Sequence, residues 1–339
     1  MLTREAMAIE RILIIRLSAI GDIVLTTPII RQVRMRFPTA QIDFLTRANF
    51  VELLRYNPHL SQVYAVEEFQ PEKYDLCIDL QNSRRSRWLR CGLATHLAQY
   101  RKENWKKFLL VKFKWNLLSD AVPVPLRYLA ACRAFGIADD GKGCDIFLSD
   151  AERHMAAQAL KPKTTLAVCY GAKHFTKRFP IEKTAAVLNA LLAEHDVQIL
   201  LLGGKDDAAL GEKLQAMISL STSVSNFSGK CSLLETAALL ERADAVFTND
   251  TGLMHIAAAF QKPIVVVFGS SVKEFGFLPF RAPYRLLEHE GLKCRPCSHI
   301  GRARCPKGHF KCMQELDTHA VLQAIVSALY ARPVTSTSV

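Results

Sequence analysis

The stretch DAVFTNDTGLMHIAAAFQKPIVVVF, residues 244–268, decides the fold class. Two short apolar, β-rich bursts (244–249 and 263–268) flank residues 251–260, which run at helical period. That alternation is the pattern of a parallel sheet covered by helices on both faces. Upstream, the same pattern predicts strand 164–170, helix 181–195, strand 197–202 ending in Gly203 and Gly204, helix 206–218, a short strand at 223–227 and helix 232–242. The first half repeats it: strand 11–17, a helix from about Asp22 to Phe37 ended by Pro38, strand 41–46, a helix near 49–56, strands 62–66 and 74–80, and a helix around 125–135. The Gly and Asp cluster ADDGKGCD (138–145) then marks a connection. Two doubly wound α/β domains are expected, joined near residues 150–163, with boundaries at 1–155 and 156–339. In such sheets ligands bind beyond the carboxyl ends of the strands. A central cleft between the domains is therefore the expected active site, and the polar tail TSTSV is expected to fray.

Composition narrows the function classes. Half of the 339 residues are hydrophobic and 22% are charged, which excludes intrinsic disorder. Ten cysteines are too few for a disulfide-stapled scaffold. No apolar run approaches the roughly 20 residues that span a bilayer. The N-terminal stretch lacks a small-residue cleavage site, so a cytoplasmic protein with reduced thiols is expected.

The formal charge of +12 is concentrated. Residues 84–114 hold ten Lys/Arg and one acid, and residues 281–311 hold eight Lys/Arg and two acids. The first segment interleaves its cations with Trp88, Trp105, Phe108, Phe113 and Trp115. Cationic stems with aromatic bodies suit a membrane headgroup region or a phosphorylated amphiphile; a solvated helix face is the alternative. No nucleic-acid-binding motif accompanies the charge.

Three loops carry candidate chemistry. Asp22, after the first strand, reads either as an N-cap or as a general base at a strand end. Its loop lacks G-x-G-x-x-G, so a nicotinamide or flavin site is not supported. In DTGLMH, Asp250 or Thr251 caps a helix, Gly252 lets a ligand approach the backbone, and the exposed amides form an anion site suited to a pyrophosphate. His255 on the first turn reads as a hydrogen-bonded core histidine or a site residue. Lys173, Lys177 and Arg178 stand near the start of the next helix, where cations oppose the dipole, which suggests either a bound anion or solvated lysines. Cys77, Cys91, Cys132, Cys144, Cys169 and Cys231 read as core. Cys294, Cys297, Cys305 and Cys312 have the spacing C-x2-C-x7-C-x6-C: either a structural zinc site, with His299 and His309 as substitutes, or reduced thiols in a folded loop.

Several of these stretches, in order, resemble one family. RILIIRLSAIGDIVLTTPIIRQVRMRFP, YDLCIDLQNSRRSRWL, KRFP, TNDTGLMHIAAAFQKPIVVVFG and CRPCSHIGRARCPKGHFKCM are similar to the ADP-heptose lipopolysaccharide heptosyltransferases of glycosyltransferase family 9. The resemblance implies the GT-B architecture, two Rossmann-like domains of which the N-terminal takes a lipid acceptor and the C-terminal a nucleotide sugar. It implies inverting transfer of L-glycero-D-manno-heptose from ADP-heptose to the lipopolysaccharide inner core, Kdo-lipid A or heptosyl-Kdo-lipid A. The enzyme would need no catalytic cofactor and would sit peripherally on the cytoplasmic face of the inner membrane. Asp22 then corresponds to the general base, Lys177 to the cation on the donor phosphates, and Asp250, Thr251, Gly252 and His255 to the donor motif. Asn82, Ser83 and Arg85 match an acceptor-side segment. Phe179 stands where tryptophan is common. Two other readings remain: a related transferase for another nucleotide sugar or glycan acceptor, and a basic nucleic-acid or metal-dependent binding protein, which leaves the IGD and DTG loops unexplained.

Overall fold

A computed structural model describes residues 9–118 and 121–330; the tail TSTSV lies outside them. The chain packs as two compact units. The first comprises the described residues of Met1–Glu103 and Val122–Phe147, the second those of Asn104–Ala121 and Leu148–Val339.

The first unit contains β1 (Arg11–Ile15), α1 (Ile20–Val24), α2 (Thr27–Arg36), β2 (Gln41–Thr46), α3 (Ala48–Val51), β3 (Gln62–Ala65), β4 (Tyr74–Asp79), α4 (Arg84–Leu89) and β5 (Ala94–Gln99). After α5 (Asn104–Phe113), which belongs to the second unit, α6 (Val124–Cys132) returns to it. Its sheet has the order β3-β2-β1-β4-β5, every pair parallel. Ile12, Leu13, Ile14 and Ile15 are all buried, as a central strand covered on both faces requires.

The second unit continues with α7 (Asp150–Ala159), β6 (Thr164–Cys169), α8 (Ile181–Glu194), β7 (Val197–Leu201), α9 (Ala208–Ala216), β8 (Val224–Asn226), α10 (Leu233–Arg242), β9 (Ala245–Asn249), α11 (Gly252–Ala259), β10 (Ile264–Phe268), β11 (Tyr284–Glu288), α12 (Lys311–Gln314) and α13 (Thr318–Tyr330). The order is β11-β10-β9-β6-β7-β8, again all parallel. Its core joins Leu166, Val168, Leu188, Leu191, Ile199, Leu201, Val265 and Val267 to Ile325 of α13.

The boundary differs from the one expected between 155 and 156: it falls between Phe147 and Leu148. Residues 150–159 are no connection but helix α7, whose start is held by Glu152 accepting from the Ser149 N–H. Arg153 of α7 pairs with Glu241 of α10 at 3.1 Å. The loop 138–145, in contrast, is pinned to α2: Arg31 pairs with Asp140 at 2.7 Å and with Asp145. Among the lone cysteines expected in the core, Cys91 is exposed and Cys231 half-buried; Cys77, Cys132, Cys144 and Cys169 are buried. No helix among the described residues is long and apolar enough to cross a membrane.

Candidate active site

Each sheet reverses its winding direction once, between β1 and β4 in the first unit and between β6 and β9 in the second. At such a switch point the loops beyond neighbouring strands diverge and leave a crevice at the strands' carboxyl ends. The loops singled out in the sequence are the ones that leave these four strands.

In the first unit, Asp22 lies on α1, just after β1. Arg16 approaches it from the end of the same strand, with Nη2 at 2.7 Å from Asp22 Oδ1. Arg16 is 6% exposed, and its remaining donors reach the Leu80 carbonyl at 2.7 Å and the Ser18 carbonyl at 2.8 Å. The guanidinium thus bridges the loops after β1 and β4 while fixing the carboxylate. The Tyr128 hydroxyl, from α6, also donates to Asp22, and burial pushes its pKa well above the ordinary value, so it stays a donor. Burial lowers the pKa of nearby Lys102, and Arg16 reinforces the shift.

The loop after β4 is tied to the loop after β1 through Arg16 and through Gln81, which accepts from the Leu17 N–H at 3.1 Å. Asp79, fully buried, accepts from the Asn82 N–H at 2.7 Å and the Ser86 hydroxyl at 3.0 Å, and pairs with Arg90 at 3.0 Å. Asn82 adopts a left-handed backbone and gives its amide to the Tyr100 carbonyl. Ser83 caps α4 by accepting from the Ser86 N–H. Arg85 is half-exposed and lies 3.8 Å from Glu67. Asn82 and Ser83 are therefore engaged in shaping the turn, while Arg85 faces outward.

In the second unit, β9 delivers Asn249, Asp250 and Thr251 to the start of α11. Asn249 ties this loop to the one after β6, accepting from the Phe179 N–H at 3.0 Å and donating to the Tyr170 carbonyl at 2.6 Å. That brace brings Lys177 Nζ to 2.7 Å from Asp250 Oδ2, which also accepts from the Ser271 hydroxyl at 2.6 Å. Thr251 occupies the N-cap in extended conformation, yet its side chain caps nothing. Its hydroxyl oxygen is buried without a hydrogen-bond partner among the described residues. Buried polar groups are normally paired, and a helix start with uncapped amides favours an anion. A cation, an orphan hydroxyl and open amides at one helix start are the combination of groups that suits a phosphate. His255 lies one turn in, buried, with its ring edge-on to Phe277 at 6.4 Å. Lys173 is exposed, and Arg178 closes its own turn onto the Ala172 carbonyl. Phe179 is core, packed on Phe247, so a phenylalanine there leaves Lys177 in place.

Of the four clustered cysteines, Cys294, Cys297 and Cys305 are half-buried and Cys312 is buried. Among the described residues no group of three or more His, Cys, Asp or Glu is arranged to hold an ion. Burial pushes the Cys312 thiol up to about 11 and raises that of Cys297. Cys294 Sγ lies 4.0 Å from His309 Nε2.

Arg16, Tyr128 and Ser271 were not singled out in the sequence. The signal for Arg16 was present: it is a lone charge following the apolar run ILII, where a buried cation must have partners. Tyr128 and Ser271 meet their carboxylates through the fold alone.

Residues 66–304 match the sequence model of Glycosyltransferase family 9 (heptosyltransferase). Lipopolysaccharide heptosyltransferase 2 of Escherichia coli is 24% identical over 304 residues, covering 78% of this chain and 84% of that protein. Lipooligosaccharide heptosyltransferase 2 of Haemophilus influenzae is 25% identical over 296 residues, with the same two coverages. Among solved structures, ADP-heptose lps heptosyltransferase II of E. coli superposes with a TM-score of 0.74 at 23% identity, covering 94% of this chain and 98% of that one. E. coli heptosyltransferase WaaC with ADP gives 0.67 at 19%, covering 94% and 99%. The family match over residues 66–304, together with the two parallel sheets, identifies the chain as a member of glycosyltransferase family 9, the heptosyltransferases.

Proposed function

We propose that the protein transfers L-glycero-D-manno-heptose from ADP-heptose, with inversion, to a hydroxyl of the lipopolysaccharide inner core at the cytoplasmic face of the inner membrane. The observation that carries this reading is the pairing of Lys177 with Asp250 beside the open start of α11, in a chain whose other switch point presents Asp22. The activities after which its relatives are named support heptose and lipopolysaccharide as the substrate classes.

Asp22 takes the proton of the acceptor hydroxyl as that oxygen bonds to the anomeric carbon. The bond from that carbon to the diphosphate oxygen breaks, and ADP departs with its electron pair. Lys177, the Thr251 hydroxyl and the first amides of α11 meet the charge that develops on the diphosphate. Asp250, once the diphosphate claims Lys177, is free to accept from sugar hydroxyls. Arg16 and Tyr128 hold Asp22 in one orientation, which is where alignment lowers the barrier.

The test is a transfer assay with ADP-heptose, UDP- and GDP-sugars against Kdo-lipid A and heptosyl-Kdo-lipid A. Heptose transfer from ADP-heptose to either acceptor is expected. Turnover with only a uridine or guanosine donor would overturn the reading.

A further inference from the structure

The second unit carries a basic cavity beside an uncovered aromatic face, and the donor site uses neither. Helix α5 anchors itself on one side only, where Leu110, together with Leu118 beyond the helix, packs on Phe275. Its opposite side points outward. Trp105 is 59% exposed, Phe108 54%, Phe113 47%, and Trp115, just past the helix, 64%. Phe108, Phe113 and Trp115 form a continuous patch: Phe113 lies 6.2 Å from Phe108 and 5.6 Å from Trp115, and Lys112 Nζ sits 5.4 Å and 5.3 Å above the two phenylalanines.

Next to this patch, between α5 and the cysteine loop, lies a cavity of about 870 Å³ whose lining includes Lys112, Lys114, Lys293, Arg302 and Lys307 and no carboxylate. Lys114 donates to the carbonyls of Val111, Cys294 and Pro296, and Arg302 donates to the Cys297 carbonyl. None of the five cations forms an ion pair among the described residues. A concentration of unneutralised charge is self-repelling, so it is stable in company with anions. Exposed tryptophans bordered by lysines are the composition of a surface that enters the headgroup layer of an anionic bilayer.

We propose that this face is a membrane-docking site: Trp105, Phe113 and Trp115 enter the interfacial layer, and the cavity lysines and Arg302 hold the phosphates of anionic phospholipid headgroups. This deepens the membrane reading above and rests on it. It places the anchor on the unit that also holds the diphosphate site.

The experiment uses the full chain with phosphatidylcholine vesicles, with and without one quarter phosphatidylglycerol. These contain neither saccharide nor nucleotide, so failure here leaves the transferase reading intact. All three tryptophans of the sequence are exposed, so Trp88→Phe leaves Trp105 and Trp115 as reporters. Co-sedimentation is expected to rise about tenfold or more with the anionic lipid and to fall with salt. The emission of the Trp88→Phe protein is expected to shift to the blue on binding. The combined change Lys112→Glu, Lys293→Glu and Lys307→Glu is expected to abolish the binding, and Trp105→Ala with Trp115→Ala to weaken it. ADP binding by calorimetry shows that each variant is folded. Equal binding to both vesicles, an unshifted emission, or a triple variant that binds like the parent would overturn the proposal. So would vesicle binding abolished by millimolar inorganic phosphate, the mark of a small-anion site, or tighter binding to duplex DNA than to the vesicles.

Discussion

Asp22 and Arg16 form a unit in which the proposed base is held by a buried guanidinium. Arg16 makes one contact to the carboxylate and two to backbone carbonyls of separate loops, so it cannot swing away with its partner. Asp22→Asn keeps the shape and loses the base. Its kcat is expected to drop by about 10²–10⁴ with ADP affinity changed by less than a few-fold. Near-parental turnover would remove Asp22 from the mechanism. Tyr128→Phe should lower kcat more than it alters KM, since the lost donor orients the base without touching substrate. Asp22 was legible in the sequence as a candidate base because an acid follows the first strand of an α/β unit. Its holder Tyr128 was not, since 106 positions separate the two residues and only the return of α6 to the first sheet brings them together. Asp140 offers a second residue-level test. Burial alone would raise its pKa, but Arg31 and the Lys142 N–H outweigh burial and hold it down at about 2. A depressed folded-state pKa gives stability that is present above the unfolded carboxylate's ordinary value near 3.9 and lost as pH falls toward 2. The side chain is 13% exposed, so solvent screens the pair little. Asp140→Asn should therefore cost on the order of 2 kcal/mol at neutral pH and flatten the decline of Tm between about pH 4 and 2. An unchanged slope in that window would mean that other carboxylates set it.

At the scale of the element, backbone proximity governs what the site tolerates. Gly269 follows β10 where that strand passes the turn carrying Lys177; a Cβ there would lie 2.8 Å from the Thr176 carbonyl oxygen and 2.7 Å from Met313. Met313 can yield, but the carbonyl is backbone and also accepts the Ser270 N–H. Gly269→Ala should cost about 1–3 kcal/mol and weaken nucleotide binding by pushing the Lys177 turn outward. Loss of stability with unaltered ADP affinity would show that the turn is not coupled to β10. Elements of long, clear period, such as α8 and β6, were read correctly from the sequence. The helix expected from Asp22 to Phe37 is two helices, because the Thr26 and Thr27 hydroxyls turn back to the Ile23 and Val24 carbonyls and Pro28 starts α2 without an N–H to donate. Strands β5 and β11 were missed. Both are sheet edges inside the cation-rich segments, where exposed polar residues break the apolar run that marks a buried strand.

For the molecule as a whole, two repeats of strand and helix sufficed to predict two parallel sheets, yet not which unit would own residues 104–121. That segment sits in the middle of the first unit's sequence and packs in the second, because Leu110 and Leu118 find Phe275, more than 150 positions away. Local periodicity carries no trace of such a pairing. The division of labour between units has a thermodynamic consequence. Lys177, Asp250 and Thr251 lie in the second unit and Asp22 in the first, so on the proposed reading ADP acts on the stability of one unit directly. A ligand at 100 times its Kd stabilises the state it binds by about 2.7 kcal/mol. For a unit of roughly 200 residues that raises Tm by about 5–10 °C. The Asp22→Asn protein should retain this shift in full. Lys177→Ala should lose about half of it or more at the same ADP concentration, because removing the cation from the proposed diphosphate site weakens binding at least about tenfold. If both variants keep the shift, ADP binds elsewhere than beside α11; if both lose it, the nucleotide contacts Asp22, and the separation of base from donor site is wrong.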